Sequence, residues 1–284
     1  MRSIASDSPR AIGFGLKRAG GNAQRQEGAA MAATIAIIGA LEQEVRHIYD
    51  ALGDPAWEER GGLRIARGTL GGREVVATVA GMGTVNVAAA TQLLLSVYDA
   101  GTVIFSGIAG GLNPALHIDD IVIGERLRYT DTDTALIAES APGLEEFAST
   151  PELVDLAEQV LRARGYAAIE DGGRRPVGTG NAAAEATADT PAYLRGTIAT
   201  GNRFVTGDAL RAAVVAETAA DCAEMEGAAV AHIAAKNGAA CLVLRAISDN
   251  CDEAYDAFCE RSFDVDGYAR RASEIVLDIA AQLD

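Results

Sequence analysis

Two acidic clusters are the residues of this chain best suited to chemistry: Glu224-Met225-Glu226-Gly227 and, 22 residues after Glu226, Ser248-Asp249. Two carboxylates brought to one cleft can divide labour. One stays ionised and accepts hydrogen bonds or a proton; the other carries a proton and donates it. Each cluster also has a plainer reading. Glu224 and Glu226 would open an Ala-rich helix that stops at Asn237-Gly238, where acidic residues suit the helix dipole. Asp249 could simply cap the element that follows a strand.

Other segments bear on that choice. Thr34-Ile35-Ala36-Ile37-Ile38-Gly39 reads as a buried strand, with Glu42 and Glu44 directly after it. Val103-Ile104-Phe105 reads as a second strand, followed by the glycine-rich stretch Ser106-Gly107-Ile108-Ala109-Gly110-Gly111, taken as a turn. Leu242-Val243-Leu244-Arg245-Ala246-Ile247 is a third, with Ser248-Asp249 at its exit. Ligands of α/β proteins bind outside the carboxyl ends of the strands. One placement therefore collects Glu44, the glycine stretch, Arg245 and Asp249 on one sheet edge.

The elements that must position these residues alternate along the chain. A helix over 41–52 puts Leu41, Val45, Ile48 and Leu52 on one face. Strands over 63–70 and 74–80 are joined through Gly71-Gly72, and Gly81-Met82-Gly83 opens a helix over 84–98. Residues 120–124 and 125–129 carry strand signals, 130–150 is looser, and Pro151 starts a helix at its first position, running to 164. The stretch 172–190, rich in Gly, Ala, Arg and Thr, reads as a long excursion or lid; strand character resumes over 195–199. A helix over 224–236, a strand over 240–247 and a final amphipathic helix over 267–283 complete the chain. The alternation predicts an α/β fold: a single domain over 31–284 with a central mixed β-sheet flanked by helices. Residues 1–30 have no lasting period, so we expect a disordered extension and a functional chain that starts near Met31.

Composition narrows the function. The 284 residues carry a formal net charge of −16. Residues 1–30 hold five basic and two acidic groups, so the body from 31 onward carries −19. A body this acidic is a poor match for nucleic acid or an anionic membrane surface. No apolar run is long enough to span a bilayer. Cys222, Cys241, Cys251 and Cys259 lack C-x-x-C spacing, and with no secretory signal they read as thiols of a reducing cytoplasm. His47, His117 and His232 are scattered, so we expect no metal site. Gly81-Met82-Gly83-Thr84-Val85-Asn86 begins like a dinucleotide fingerprint but lacks its third glycine and its distal acid. There is no phosphate-binding G-x-x-x-x-G-K-[ST] loop and no G-x-S-x-G elbow. What remains is carboxylates, glycines and one buried-looking arginine, a set that suits acid–base chemistry on a polar small molecule without a cofactor.

These residues carry a resemblance. Ile37-Ile38-Gly39-Ala40-Leu41-Glu42-Gln43-Glu44, Ala109-Gly110-Gly111-Leu112, Glu224-Met225-Glu226 and Arg245-Ala246-Ile247-Ser248-Asp249 occur in the order seen in the 5′-methylthioadenosine/S-adenosylhomocysteine nucleosidases. Together they resemble the wider nucleoside phosphorylase superfamily, over roughly 31 to the C-terminus. The resemblance implies cleavage of the N-glycosidic bond of a purine nucleoside, through a sugar with oxocarbenium character. It implies that Glu44 activates water and that Asp249, steadied by Ser248, protonates the departing purine. Glu226 would accept from the ribose hydroxyls, with Met225 against the sugar. Phe204 would stack on the base while the Val205 backbone reads its edge. The Gly110 backbone and Arg245 would help hold the sugar or the water, and Phe263 would supply a further aromatic. The resemblance also implies a homodimer.

The superfamily's purine phosphorylases place an arginine-bearing Gly-Asp-Pro turn after the first strand to bind phosphate. This chain has Glu42, Gln43 and Glu44 there, a sign that suits water. Ile108 stands where many of the nucleosidases have a small polar residue, and Asn202 replaces a common aspartate; these differences bear on the 5′ substituent. Other superfamily activities remain as alternatives, including a phosphorylase or a futalosine-type hydrolase, as does a non-catalytic nucleoside-binding protein. Deleting residues 1–30 should leave melting temperature and turnover unchanged. A large loss of solubility or of kcat in the shortened chain would show instead that the segment packs on the body.

Overall fold

The structure is a computed structural model that describes residues 34–170, 173–174, 190–251 and 265–283. The expected N-terminal extension, nearly all of the 172–190 stretch and Phe263 lie outside these residues. The described residues fall in one compact unit, Met31–Asp284.

The elements follow the chemistry of their residues. β1 (Thr34–Gly39) is buried at every position, as an apolar run covered on both faces must be. α1 (Glu42–Ala51) buries Val45, Ile48 and Tyr49 along one stripe. β2 (Ala56–Arg60), β3 (Leu63–Leu70) and β4 (Arg73–Val79) form an antiparallel meander. Leu70 pairs with Arg73, so Gly71 and Gly72 alone make the turn. Their φ values of 59° and 86° are the ones a tight hairpin demands at both central positions. α2 (Thr84–Val97), β5 (Ala100–Gly111), β6 (Ile121–Tyr129), the short α3 (Thr134–Ala138) and β7 (Phe147–Ala148) come next. α4 (Pro151–Ala163) starts with proline, whose missing N–H is no loss in a first turn. β8 (Ala167–Glu170), β9 (Gly173–Arg174), β10 (Ala192–Thr200), α5 (Asp208–Thr218) and β11 (Cys222–Glu224) lead to α6 (Gly227–Asn237). Gly238, left-handed at φ 68°, ends α6. β12 (Ala240–Asp249) and α7 (Val265–Gln282) close the fold.

The sheet runs β2-β3-β4-β1-β5-β12-β6-β10-β8-β9. It is mixed: β1, β4, β5 and β12 are mutually parallel, while β6 runs against β12. β11 lies parallel to β10 and antiparallel to the end of β5. The pairings β5–β12–β6–β10–β11–β5 therefore close on themselves into a five-stranded ring. Alternate strand residues feed two cores, as the period of two requires. Ile38, Phe105 and Val243 pack with Val87, Ala90 and Leu94 of α2 and with Ala228 and Ala231 of α6. Ile37, Ile104, Leu242 and Leu244 pack under α1, α4 and α7, against Ile48, Leu153, Ile275 and Ile279. Helices cover both faces of the sheet, as the sequence predicts.

Three expectations are corrected. The glycine-rich stretch 106–111 is not a turn; it is the second half of the 12-residue strand β5. Its glycines serve close approach. A side chain at 107 would stand 2.6 Å from Glu44 Oε1 and 2.9 Å from Arg245 Nη1, and one at 110 would collide with Cys251 Sγ. Glu224 does not open a helix but ends β11, and Glu226 is the cap residue of α6. The strand signals at 120–124 and 125–129 belong to one strand, β6. β2, α3, β7, β8, β9, β11 and α5 were not anticipated; six of them are short, and α5, with Val214 and Thr218 as its buried residues, lacks a strong stripe.

Candidate active site

Six carboxyl-terminal strand exits meet at one cleft. Ala40, Leu41 and Glu44 follow β1, and Met82 follows β4. Ile108, Ala109 and Gly110 close β5, and Arg203, Phe204 and Val205 follow β10. Ala223 and Glu224 end β11, with Met225 and Glu226 next, while Ser248 and Asp249 end β12 beside Cys251. The cleft encloses about 670 Å³ of empty space, its open mouth included. That lies within the range of small-molecule sites, about 300–1,000 Å³.

Eight of the ten residues expected from the sequence line this cleft: Glu44, Gly110, Phe204, Val205, Met225, Glu226, Ser248 and Asp249. Arg245 does not. It is 1 % exposed and lies behind the wall, its guanidinium 4.2 Å over the Phe105 ring. Direct contact with a ligand is thus not what the geometry gives it. Phe263 lies outside the described residues.

Glu44 is held from three sides. Its Oε2 accepts from Ala40 N at 2.7 Å and Leu41 N at 2.9 Å, and its Oε1 accepts from Ile108 N at 3.1 Å. The bond to Leu41 N is half of a capping box at the start of α1, so this glutamate also serves its helix. Behind it, the Ser273 hydroxyl of α7 donates to the Glu44 carbonyl at 3.0 Å. Burial pushes the Glu44 carboxyl up, against the opposing pull of Arg245 and the three amides. A carboxylate raised in this way is a better base near neutral pH than an exposed one.

Glu226 accepts from Gly83 N at 2.7 Å, and its Oε2 stands 3.9 Å from Arg245 Nη2. The Gly81-Met82-Gly83 motif, poor as a dinucleotide fingerprint, finds its use here. Both glycines have positive φ, 86° and 95°, and the turn aims the Gly83 N–H at the carboxylate. The same turn anchors the Phe204 loop: Asn202 Oδ1 accepts from Thr84 N at 3.1 Å and Thr84 Oγ1 at 3.0 Å. Asp249 accepts from Cys251 N at 2.8 Å through Oδ1, while the Ser248 hydroxyl lies 2.9 Å from Oδ2 and 3.2 Å from the Ala109 carbonyl. The Ser248 hydroxyl is thus within hydrogen-bond reach of the Asp249 carboxyl.

Met82, Ile108, Arg203, Glu224 and Cys251 line the cleft without having been singled out as site residues. The flanking glycines were the available signal for Met82, and the acidic cluster itself for Glu224. Arg203 and Cys251 sit in no pattern that marks them. His232, on α6, stacks on Phe147 at 4.4 Å and does not line the cleft. No cluster of His, Cys, Asp or Glu among the described residues could hold a metal ion.

Comparison with known proteins gives the family. The model of the phosphorylase superfamily matches residues 34–281, and the chain belongs to that superfamily. Within it, a 5′-methylthioadenosine/S-adenosylhomocysteine nucleosidase of Shewanella sp. (strain MR-7) is 32 % identical over 261 residues, covering 88 % of this chain and 97 % of the relative. Among solved structures, the nucleosidase of that name from Neisseria meningitidis, in complex with methylthio-immucillin-A, has a TM-score of 0.72 at 28 % identity, covering 88 % of this chain and all of that one. Futalosine hydrolase of Helicobacter pylori has a TM-score of 0.70 at 25 % identity, covering 87 % and 96 %.

The electrostatics yield a pH test. Burial and the neighbouring Glu224 push the Glu226 carboxyl up to about 7. An acid whose folded value exceeds its unfolded value binds its proton more tightly in the native state. Its contribution to stability is complete below about pH 4.5 and is lost as pH rises through 7. Glu226→Gln removes that titration. Between pH 5 and 8 the variant should therefore lose less stability than the parent, by on the order of 3 kcal/mol. Urea unfolding at the two pH values measures it; parallel losses in both proteins would contradict the assignment.

Proposed function

We propose that this protein hydrolyses the N-glycosidic bond of 5′-thio-substituted adenosines, 5′-methylthioadenosine and S-adenosylhomocysteine, releasing adenine and the 5′-thio-ribose. The observation that carries this reading is the meeting of Glu44, Glu226 and Asp249 on one cleft. The names of the relatives point the same way.

The roles follow from what each step needs. As the bond from sugar C1′ to the purine nitrogen breaks, its electron pair moves onto the purine and positive charge builds on the sugar. Asp249, seated by Ser248 and the Cys251 amide, gives its proton to a purine ring nitrogen and so makes the base a better leaving group. Glu44 takes a proton from water as the water oxygen bonds to C1′. Glu226, one oxygen already on Gly83 N, accepts from the ribose diol with the other. Met225 lies against the sugar, Gly110 borders it, and Phe204 and Val205 hold the base. Solvent returns the proton to Asp249 and removes the one on Glu44. No cofactor or metal enters these steps.

Glu42 and Glu44 after β1 favour water over phosphate, since carboxylates repel a phosphate dianion. Futalosine-type hydrolysis is the second reading, supported by the likeness to the Helicobacter pylori enzyme. Base release should therefore be measured over a panel of nucleosides, futalosine included, with and without phosphate. We expect adenine release from 5′-methylthioadenosine, no stimulation by phosphate and a free sugar product. A sugar 1-phosphate signal in phosphorus NMR would move the protein to the phosphorylases. Glu44→Gln should lower kcat by about 10²–10⁴-fold with binding largely kept, and Asp249→Asn should do the same most severely for adenine leaving groups. A kcat near the parent's in either variant would remove that residue from its role.

We also place the protein in the cytoplasm as a homodimer. Buried free thiols at Cys222 and Cys241 suit a reducing compartment, and no described helix is long and apolar enough to cross a membrane. Val85 and Val97 of α2, with Met82 beside the cleft, expose apolar surface that a second copy could cover. Sedimentation equilibrium at micromolar concentration should give twice the chain mass; a monomer there would contradict the pairing.

A further inference from the structure

Glu224 borders the cleft, yet the reaction above gives it no step. Its Oε2 accepts from Glu226 N at 3.0 Å, Gly227 N at 2.7 Å and Arg245 Nε at 3.1 Å, and is paired as well with Arg245 Nη2. Its Oε1 takes the Thr200 hydroxyl, whose oxygen accepts from Ala228 N at 2.9 Å. One carboxylate thus fixes two things: the first turn of α6, and the guanidinium of Arg245.

What Arg245 would do otherwise is visible in the geometry. Gly107 has no side chain, and Glu44 Oε1 and Arg245 Nη1 each lie within 3 Å of the point where its Cβ would be. Nevertheless no ion pair within 4 Å joins the two residues; the pairs of Arg245 go to Glu224 and, at 3.9 Å, to Glu226. The guanidinium rests on Phe105, and Nη1, its nitrogen nearer Glu44, donates to the Leu244 carbonyl at 3.2 Å.

We propose that Glu224 is a positioning residue for the hydrolysis put forward above, on which this inference rests: it keeps the Arg245 guanidinium on its own carboxylate and so withholds it from Glu44. An arginine turned onto Glu44 would form a charge-assisted pair there and occupy the oxygen that must receive the proton of water. It would also weaken Glu44 as a base, because a nearby cation favours the ionised form. The charged groups facing this centre are Glu44 from α1, Glu224 from β11, Glu226 at the head of α6, and Arg245 itself from β12. Cys222 and Tyr129 also face Glu224, but burial pushes both up, so neither titrates near neutrality.

The test is the pH profile of kcat/KM for adenine release from 5′-methylthioadenosine. Glu224→Gln keeps the shape of the side chain and removes the charge that retains Arg245. Its acidic limb should move to lower pH by about one unit, and kcat should fall roughly tenfold or more. A purely structural role would lower the amount of active protein and leave the limb where it was. Glu224→Asp keeps the charge but withdraws it by one methylene; its limb should lie between those of the parent and the Gln variant. A folded Gln variant with an unmoved limb overturns the inference, and, should the Gln variant not fold, so does an Asp variant with the limb of the parent. A parent protein that releases base from no nucleoside defeats the hydrolase reading instead, so the two failures are distinguishable.

Discussion

A guanidinium removed from water must be surrounded by acceptors, and the site is organised around that requirement. Arg245 sits among Glu44, Glu224 and Glu226, three buried carboxylates to one cation. Desolvation of so many charges works against the folded state, and a buried ion pair is by itself weak evidence of stability. The arrangement is better read as a source of reactivity. Burial raises both the Glu44 and the Glu226 carboxyls, the neighbouring Glu224 adds to the effect on Glu226, and the one cation opposes it only in part. Backbone amides from Ala40, Leu41, Ile108 and Gly83 then decide which oxygens are anchored and which still have an open lone pair.

That division explains why so much of the site was legible in the sequence. Glu44 and Asp249 stand at the exits of apolar runs, and runs such as Ile35-Ala36-Ile37-Ile38 have few ways to fold other than as covered strands. Position at a strand exit is a one-dimensional property, and it survives the passage to three dimensions. What did not survive was anything dependent on the far side of a wall. Arg245 is next to Ala246 in sequence and looks like a ligand-facing cation, but strand alternation and its pairing with Glu224 put it behind the surface. Glycines misled for a related reason. A run of Gly and Ala suggests a turn when only φ freedom is considered, but here it is the narrowness of glycine that matters: β5 passes so near Glu44, Arg245 and Cys251 that a Cβ has no room. Short strands such as β11, three residues long, are held by partners distant in sequence and have no pattern of their own.

The mouth of the cleft is built on different principles from its floor. Phe204 and Met82 are substantially exposed, and the loops that carry them are tied by side-chain bonds such as Asn202 to Thr84. Such contacts tolerate replacement in a way that ladder-paired strand ends do not. Of the two departures noted, Asn202 belongs to such a loop, while Ile108 lines the cleft from the end of β5. Differences among superfamily members in the group attached to the sugar can then arise without disturbing the carboxylates that break the bond.

The closed circuit of strands β5, β12, β6, β10 and β11 has a mechanical consequence. In an open sheet an edge strand can peel away by breaking a single ladder. In a circuit, no member leaves without breaking two. The segments bearing Gly110, Glu224 and Asp249 therefore share one opening event, and their paired amides should lie at the slow end of hydrogen exchange, near the global unfolding limit. Ligand traffic has to be accommodated by the rim alone. The catalytic floor then acts as a stiff anvil whose spacing is set once, at folding, and is not renegotiated at each turnover.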